Sequence, residues 1–363
     1  MTPSTPTHVP LRAAIIGAGG IATTHATAYQ AAGVDLVAVC DVDAALARKR
    51  ADAWGVERVY DDVAALLREE TLDMVSVCTP ASTHHAITLQ AASAGVHVLC
   101  EKPIAVDLNE AQAMIDACDA AGVVLQVGHQ LRSHPAIVQA KTMIDEGVIG
   151  EVTMVRLRQA HDWGGASEVR PSFATRASGG GGTLLDNGCH LMDLARYLAG
   201  DVEEVYGRVA TRKWPIELED SAIVSLRFRS GALGSVETSW SATGWEEGFW
   251  VYGTKGSLEW TNRHADPVLV HASRASGSTD WSETDVTRYA FTELRGHDAE
   301  IRAFVRAVRE GAPVPCTGED GLEAVRLVLA GYDSASRNAP LTLGDEASNL
   351  ARAVEGIEAG NAS

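Results

Sequence analysis

The first third of the chain alternates short apolar runs with alanine-rich amphipathic stretches. "AAIIGAG" (13–19), "LVAVCD" (36–41), "MVSVCTP" (74–80), "HVLCE" (97–101) and "VVLQVG" (123–128) are β-branched and apolar at nearly every position. Strands buried on both faces of a parallel sheet carry that pattern. Helical periodicity occupies 20–32, 43–54, 83–94 and 107–121. The alternation predicts an α/β fold built on a doubly wound parallel sheet.

Beyond about residue 150 the texture changes. "EVTMVRLRQA", "SAIVSLRFRS", "GALGSVETSWSA" and "WVYGTKGSLEW" alternate or carry turn glycines. They read as antiparallel strands with one exposed or partner-covered face. Apolar or aromatic positions such as Val251, Leu258 and Trp260 are expected on both faces, which predicts self-association through the sheet. Two helical stretches follow, "DAEIRAFVRAVREG" and "EDGLEAVRLVLAGYDSASRN". The expected organisation is a flexible tail over 1–10, a nucleotide-binding domain over 11–135, and a second domain over 136–363 for substrate and oligomerisation.

A length of 363 residues is enough for two cores, and a net charge of −18 repels phosphate backbones, so no nucleic-acid partner is expected. No apolar run is long enough to span a bilayer, and "MTPSTPTHVP" lacks the basic-then-apolar pattern of a secretory leader. Six cysteines form no CxxC pair and fit reduced, buried residues in a cytoplasmic setting.

The first run enters "GAGGIA", residues 17–22, a GxGxxA pattern between a strand and a helix. Gly17 permits the turn, Gly19 admits a pyrophosphate, and Ala22 allows close helix packing. Gly20 and Ile21 belong to the same expected cofactor loop. Asp41 ends the second run, 22 residues after Gly19, where an acid accepts hydrogen bonds from ribose hydroxyls. This predicts a Rossmann domain that prefers NAD to NADP, although Arg48 and Arg50 are near enough in sequence to reach a 2′-phosphate.

Ligands of such sheets bind at the carboxyl ends of the strands. "CTPASTHH" and "CEKP" lie at two of those ends, and Pro103 holds Lys102 extended at a strand tip. On position alone Lys102 is equally a surface ion-pair partner. A second constellation, "GGGGTLLDNGCHLMDLARYL" (179–198), puts Asp186, His190 and Asp193 on one helical face. Such a line is functional in a cleft and unremarked on a solvated face. A metal reading with Asp186, Cys189 and His190 lacks a further ligand, so no metal is expected.

With these residues in view the chain resembles the glucose–fructose oxidoreductase / inositol dehydrogenase / rhizopine catabolism (Gfo/Idh/MocA) family. The matching elements are GAGGIA, Asp41, "TPASTHH", "EKP", "VGHQLRSHP", the D-x-x-x-H of the glycine-led helix, and "GTKGSLEW". They extend from about residue 13 to about 340. The resemblance implies a C-terminal α+β domain with a large open, mostly antiparallel sheet, and a homodimer or homotetramer. It implies NAD(P)-linked oxidation or reduction of a sugar, polyol or inositol-like substrate. It makes Lys102 the active-site lysine and Asp186 and His190 the acid–histidine pair. Thr79, Pro80, His84, Glu101 and Gln130 become cofactor-side residues, and Arg132 a wall of the cleft.

The expected mechanism has His190 take a hydroxyl proton, Asp186 orient its ring or share the proton, and Lys102 stabilise developing negative charge. The alternative makes Lys102 the base, should burial depress its pKa. His161, Asp162, Trp163 and Arg170 are candidates to contact hydroxyls or stack on a sugar face, with Trp163 equally readable as a core aromatic. An NAD-dependent glycosidase, a non-catalytic sugar or nucleotide sensor and a structural subunit are the competing readings.

Overall fold

The apolar runs of the first third lie side by side in a computed structural model of the chain, which describes residues 10–163, 169, 173–175, 180–263, 268–275, 278, 280, 282–292 and 295–344. They form strands β1 Arg12–Ile16, β2 Asp35–Cys40, β3 Arg58–Tyr60, β4 Met74–Val77, β5 His97–Cys100 and β6 Leu125–Val127. Every pair is parallel, in the order β3-β2-β1-β4-β5-β6. Helices α1 Ala22–Ala31, α2 Ala44–Trp54, α3 Val63–Glu69, α4 His84–Ser93 and α5 Leu108–Ala121 cover the two faces. Asp43, Asp62 and Asp107 cap α2, α3 and α5 by accepting backbone N–H bonds. Strand order reverses between β1 and β4, which opens a crevice at their carboxyl ends. The three-residue β3 and the short α3 are elements the hydrophobic pattern did not announce.

Helix α6, Pro135–Asp145, leads into the second sheet. Its strands are β7 Val152–Ala160, β8 Val202–Ala210, β9 Ser221–Phe228, β10 Leu233–Ser239, β11 Glu246–Gly253, β12 Gly256–Thr261, β13 Val268–Arg274, β14 Thr284–Ala290 and β15 Leu341–Thr342. The order is β14-β13-β12-β11-β7-β10-β9-β8-β15, antiparallel except where β10 meets β7. One face packs on α8 Gly188–Ala199 and α10 Gly318–Arg337, with Leu191, Leu194 and Val328 against Val224, Val236 and Phe249. Val251, Leu258 and Trp260 all belong to that buried side, so they are core residues and are not divided between the two faces as expected. The outward side instead carries Tyr252, Met154 and Leu233 in register across β11, β7 and β10. Helix α9, His297–Glu310, crosses the expected domain boundary: Ile301, Phe304 and Val305 pack into the core of the first sheet with Ala13, Ile15 and Tyr29.

The junction between the two sheets holds a buried ion cluster. Arg132, in a 3-10 turn at Gln130–Ser133, grips both oxygens of Asp193 on α8 at 2.8 and 2.7 Å. Its third nitrogen donates to Asp320 of α10 at 2.8 Å and to the Pro315 carbonyl at 3.1 Å. Arg196 meets the other Asp320 oxygen at 2.8 Å. Arg132 therefore joins the layers and, contrary to expectation, does not wall the cleft, because each of its polar arms is already committed. Removing it strands a buried carboxylate, so Arg132→Met should cost about 3–5 kcal/mol of stability, read by urea unfolding; a loss below about 1 kcal/mol contradicts this assignment.

Candidate active site

A cavity of about 930 Å³ opens where β1, β4 and β5 end. Gly19, Gly20, Ile21, Thr79 and Pro80 line its cofactor side. Gly17 lies behind them with φ +96°, and a Cβ there would sit 2.6 Å from the Cys78 carbonyl. At Gly19 and Gly20 a Cβ would meet nothing within 4 Å, so these positions leave open space for an approaching group. Helix α1 starts with no side-chain cap, and its free N–H groups suit a phosphate. Asp41 accepts the Ala18 N–H at 2.6 Å and the Asp43 N–H at 2.9 Å, so it shapes the loop it was expected to serve. Arg50 donates to the Ala18 carbonyl at 3.1 Å, whereas Arg48 turns away to Glu57. The set fits a dinucleotide. His84 is a correction: it is fully buried and links the carbonyls of Thr79 and Pro103, so it braces the two strand-end loops and does not reach the cavity.

Lys102 reaches from the end of β5 across the cavity. Its Nζ donates to the Asp186 carboxylate at 2.8 Å and to the Asp186 carbonyl at 3.0 Å. Burial alone would push the ammonium down, but the Asp186 carboxylate outweighs it and holds the pKa above the usual lysine range. Asp186 ends α7, Thr183–Asp186, which abuts α8 at Asn187. The preceding glycines are required by packing: a Cβ on Gly182 would lie 2.1 Å from the Glu219 carbonyl oxygen. One turn on, the His190 ring lines the cavity. Its Nδ1 lies 3.3 Å from Nδ1 of His129, with the rings edge to face. Burial, then the charge of Lys102, push the His190 pKa well below the ordinary histidine value. Asp186 is thus bonded to Lys102, and His129 is the hydrogen-bond partner of His190.

Glu101 lines the cavity beside Lys102. Its carboxylate meets His25 at 3.0 Å, and His25 continues through Ser76 to Tyr29. Desolvation would raise the Glu101 pKa, yet the His25 bond and charge win and bring it to about 2. The opposite wall comes from the second sheet. His161 stacks on Trp245, and Trp163 packs against His161, Phe173 and Trp240 while also lining the cavity. Asn187 donates to Gln159 at 3.0 Å, and Trp245 donates to Glu247 at 3.1 Å. Burial raises the Glu247 pKa against the hydrogen bonds of Trp245 and Gln159.

Residues 11–129 match the model of the oxidoreductase family with an NAD-binding Rossmann fold, and residues 137–259 match the GFO/IDH/MocA C-terminal domain. The chain belongs to the Gfo/Idh/MocA family. Among the relatives of this Gfo/Idh/MocA oxidoreductase, D-apiose dehydrogenase of Paraburkholderia graminis is 32% identical over 89% of this chain and 87% of its own. Myo-inositol 2-dehydrogenase of Thermotoga maritima is 30% identical over 89% and 96%. A solved levoglucosan dehydrogenase in complex with NADH superposes with a TM-score of 0.85 at 26% identity, covering 93% of this chain and all of that one.

The fold of this Gfo/Idh/MocA oxidoreductase brings Lys102, Asp186, His190, Glu101, Gln130 and His161 to one cavity, while Arg132 and His84 stand behind it. Arg170 lies outside the described residues. Sequence reading missed Gln159, Asn187, Trp245 and Glu247. A glutamine in phase with the buried Val155 and Leu157 of β7 was the available signal. Among the described residues one buried group of potential metal ligands occurs, His129, Asp193 and Cys316, but Arg132 already occupies both Asp193 oxygens. Because Asp41 shapes the glycine loop and a carboxylate there would oppose a 2′-phosphate, Asp41→Ala should weaken NADH binding by about tenfold and weaken NADPH binding less. Fluorescence titration with both nucleotides tests this; an unchanged ratio contradicts it.

Proposed function

We propose that the protein oxidises a secondary hydroxyl of a sugar, polyol or inositol-like compound, or reduces the corresponding ketone, with His190 as the proton acceptor. The carrying observation is that Lys102 from the first sheet and His190 from the second line one cavity, which also contains the glycine loop. Bound NAD supplies the hydride acceptor. Gly19, Gly20 and Ile21 would hold its phosphates, and Thr79, Pro80 and Gln130 would flank it within the cavity. Lys102 stays protonated against Asp186, so it serves to stabilise negative charge developing on the substrate oxygen and is unsuited to be the base. His190 is neutral at working pH and free to accept the hydroxyl proton. Trp245, His161 and Trp163 offer faces for the apolar side of a ring, and Glu247 and Gln159 offer acceptors and donors for its hydroxyls. The named substrates of the relatives, apiose, inositol and levoglucosan, belong to this class. The free, buried cysteines accord with a reducing compartment.

Association of two copies is part of the same reading. Tyr252, Met154 and Leu233 form an exposed apolar band on the outer sheet face. Around it lie the ion pairs of Arg156 and Arg158 with Glu237. An apolar centre with a charged surround suits a self-complementary interface. Light scattering should give a dimer or tetramer at micromolar concentration, and Met154→Asp with Leu233→Asp should give monomers; a monomeric wild type ends the idea.

For the chemistry, Lys102→Met and His190→Ala should keep NADH affinity near wild type while kcat falls on the order of 10²-fold or more. The sign of the pH effect follows from the lowered His190 pKa: kcat/KM for oxidation holds as pH falls through the ordinary histidine range and declines only at more acid pH. The readout is NADH accumulating in the near ultraviolet across a panel of sugars, polyols and inositols. An NAD-dependent glycosidase would cleave glycosides with no net NADH. Near-wild-type turnover by His190→Ala removes it as the base.

A further inference from the structure

Two buried imidazoles face each other through their Nδ1 atoms, 3.3 Å apart. Only one of the two can donate. Burial keeps both rings neutral, so each carries a single proton, and choosing the donor fixes both tautomers. If His129 donates, the remaining proton of His190 sits on Nε2 and that nitrogen has no lone pair to offer. If His190 donates, its Nε2 is bare and the proton of His129 lies on its own Nε2.

The surrounding charges discriminate between the two. Lys102 is the strongest charge acting on His190; Asp186 and Asp193 lie on the adjoining turns. His190 lines the cavity and His129 does not. A cation on the cavity side favours a lone pair there. Behind His190, a His129 ring nitrogen, an Asp193 oxygen and the Cys316 sulfur lie within 4.8 Å of one another. Among the charges acting on His129 the pull of Asp193 is the largest, ahead of the push of Arg132 and then that of Lys102, with Glu101 adding a smaller pull. Nε2 of His129 is buried and makes no hydrogen bond. The attraction of the Asp193 carboxylate for the ring favours the tautomer in which His129 keeps a proton not shared with His190, which can only be at Nε2. Cation in front and anion behind polarise the pair in one direction.

We propose that His129 is a positioning residue that fixes the tautomer of His190: His190 donates its Nδ1–H to Nδ1 of His129 and presents a bare Nε2 to the cavity. The inference rests on the reading of His190 as the base. In oxidation the hydroxyl proton passes to Nε2 of His190, and the imidazolium keeps its Nδ1–H bond to His129. No other bond is made or broken in that step. His129 then has the role that sequence reading gave to Asp186.

The test is nitrogen-15 NMR of histidine-labelled full-length protein, with the His190 signals identified by their loss in His190→Gln. Wild type should show His190 protonated at Nδ1 and bare at Nε2. His129→Asn, whose side-chain oxygen replaces the Nδ1 acceptor, should keep that pattern. His129→Phe removes the acceptor and should move the His190 proton to Nε2 and lower kcat at least about tenfold with KM little changed, while His129→Asn restores most of the rate. A wild-type His190 protonated at Nε2 overturns the proposal, and so does an unaltered His190 spectrum in His129→Phe. Should the phenylalanine variant fail to fold, the wild-type and asparagine spectra still decide. The spectra need no substrate: the expected tautomer in a protein that oxidises no carbohydrate sinks the proposed function and leaves the role of His129 standing.

Discussion

Three residues on one helical face meet three from the other side of the molecule. Asp186, His190 and Asp193 stand against Lys102, His129 and Arg132. A charge or imidazole taken out of water needs a partner, and here each has one across the junction. The two sheets therefore cannot slide relative to each other without separating all three pairs. The cavity inherits its shape from that constraint, because its two reactive walls are the two sides of the same row.

The row is graded. Its outer pair, Lys102 and Asp186, has side chains 19% and 17% exposed, and its inner pair, Arg132 and Asp193, only 7% and 1%. Exposure leaves the outer pair accessible to a substrate, while burial and bidentate geometry make the inner pair a fixed anchor. The neutral imidazoles lie between a pair that can respond to a ligand and a pair that cannot.

Much of this was legible in the sequence. Runs apolar on both faces gave the parallel sheet, and the spacing of Gly17, Gly19 and Asp41 placed the nucleotide loop. The i, i+4, i+7 spacing of Asp186, His190 and Asp193 predicted a shared face. What that face met was not legible, since partner choice depends on how a turn near residue 130 docks on a helix some sixty residues later. The family resemblance places Arg132 in the cleft wall and cannot tell that its acceptors lie behind the cavity. Trp260 and Val251 could not be assigned to a face because alternation tells that a strand has two faces but not which of them a helix covers. Glu247 and Trp245 went unseen because neighbouring charges and aromatics on a strand carry no local signature of a cavity.

The far wall of the cavity is built from side chains at the ends of β7 and β11, strands whose backbones are paired on both edges. Ladder hydrogen bonds come from the main chain and do not depend on which side chain projects into the cavity. The pairs Lys102–Asp186 and His129–His190, by contrast, are tied into the junction row, where replacing one partner strands the other. Natural selection, or a protein engineer, can therefore exchange residues such as Gln159 and Glu247 and retune which molecules are admitted while the chemistry stays intact. Such an architecture separates the evolution of selectivity from the evolution of mechanism.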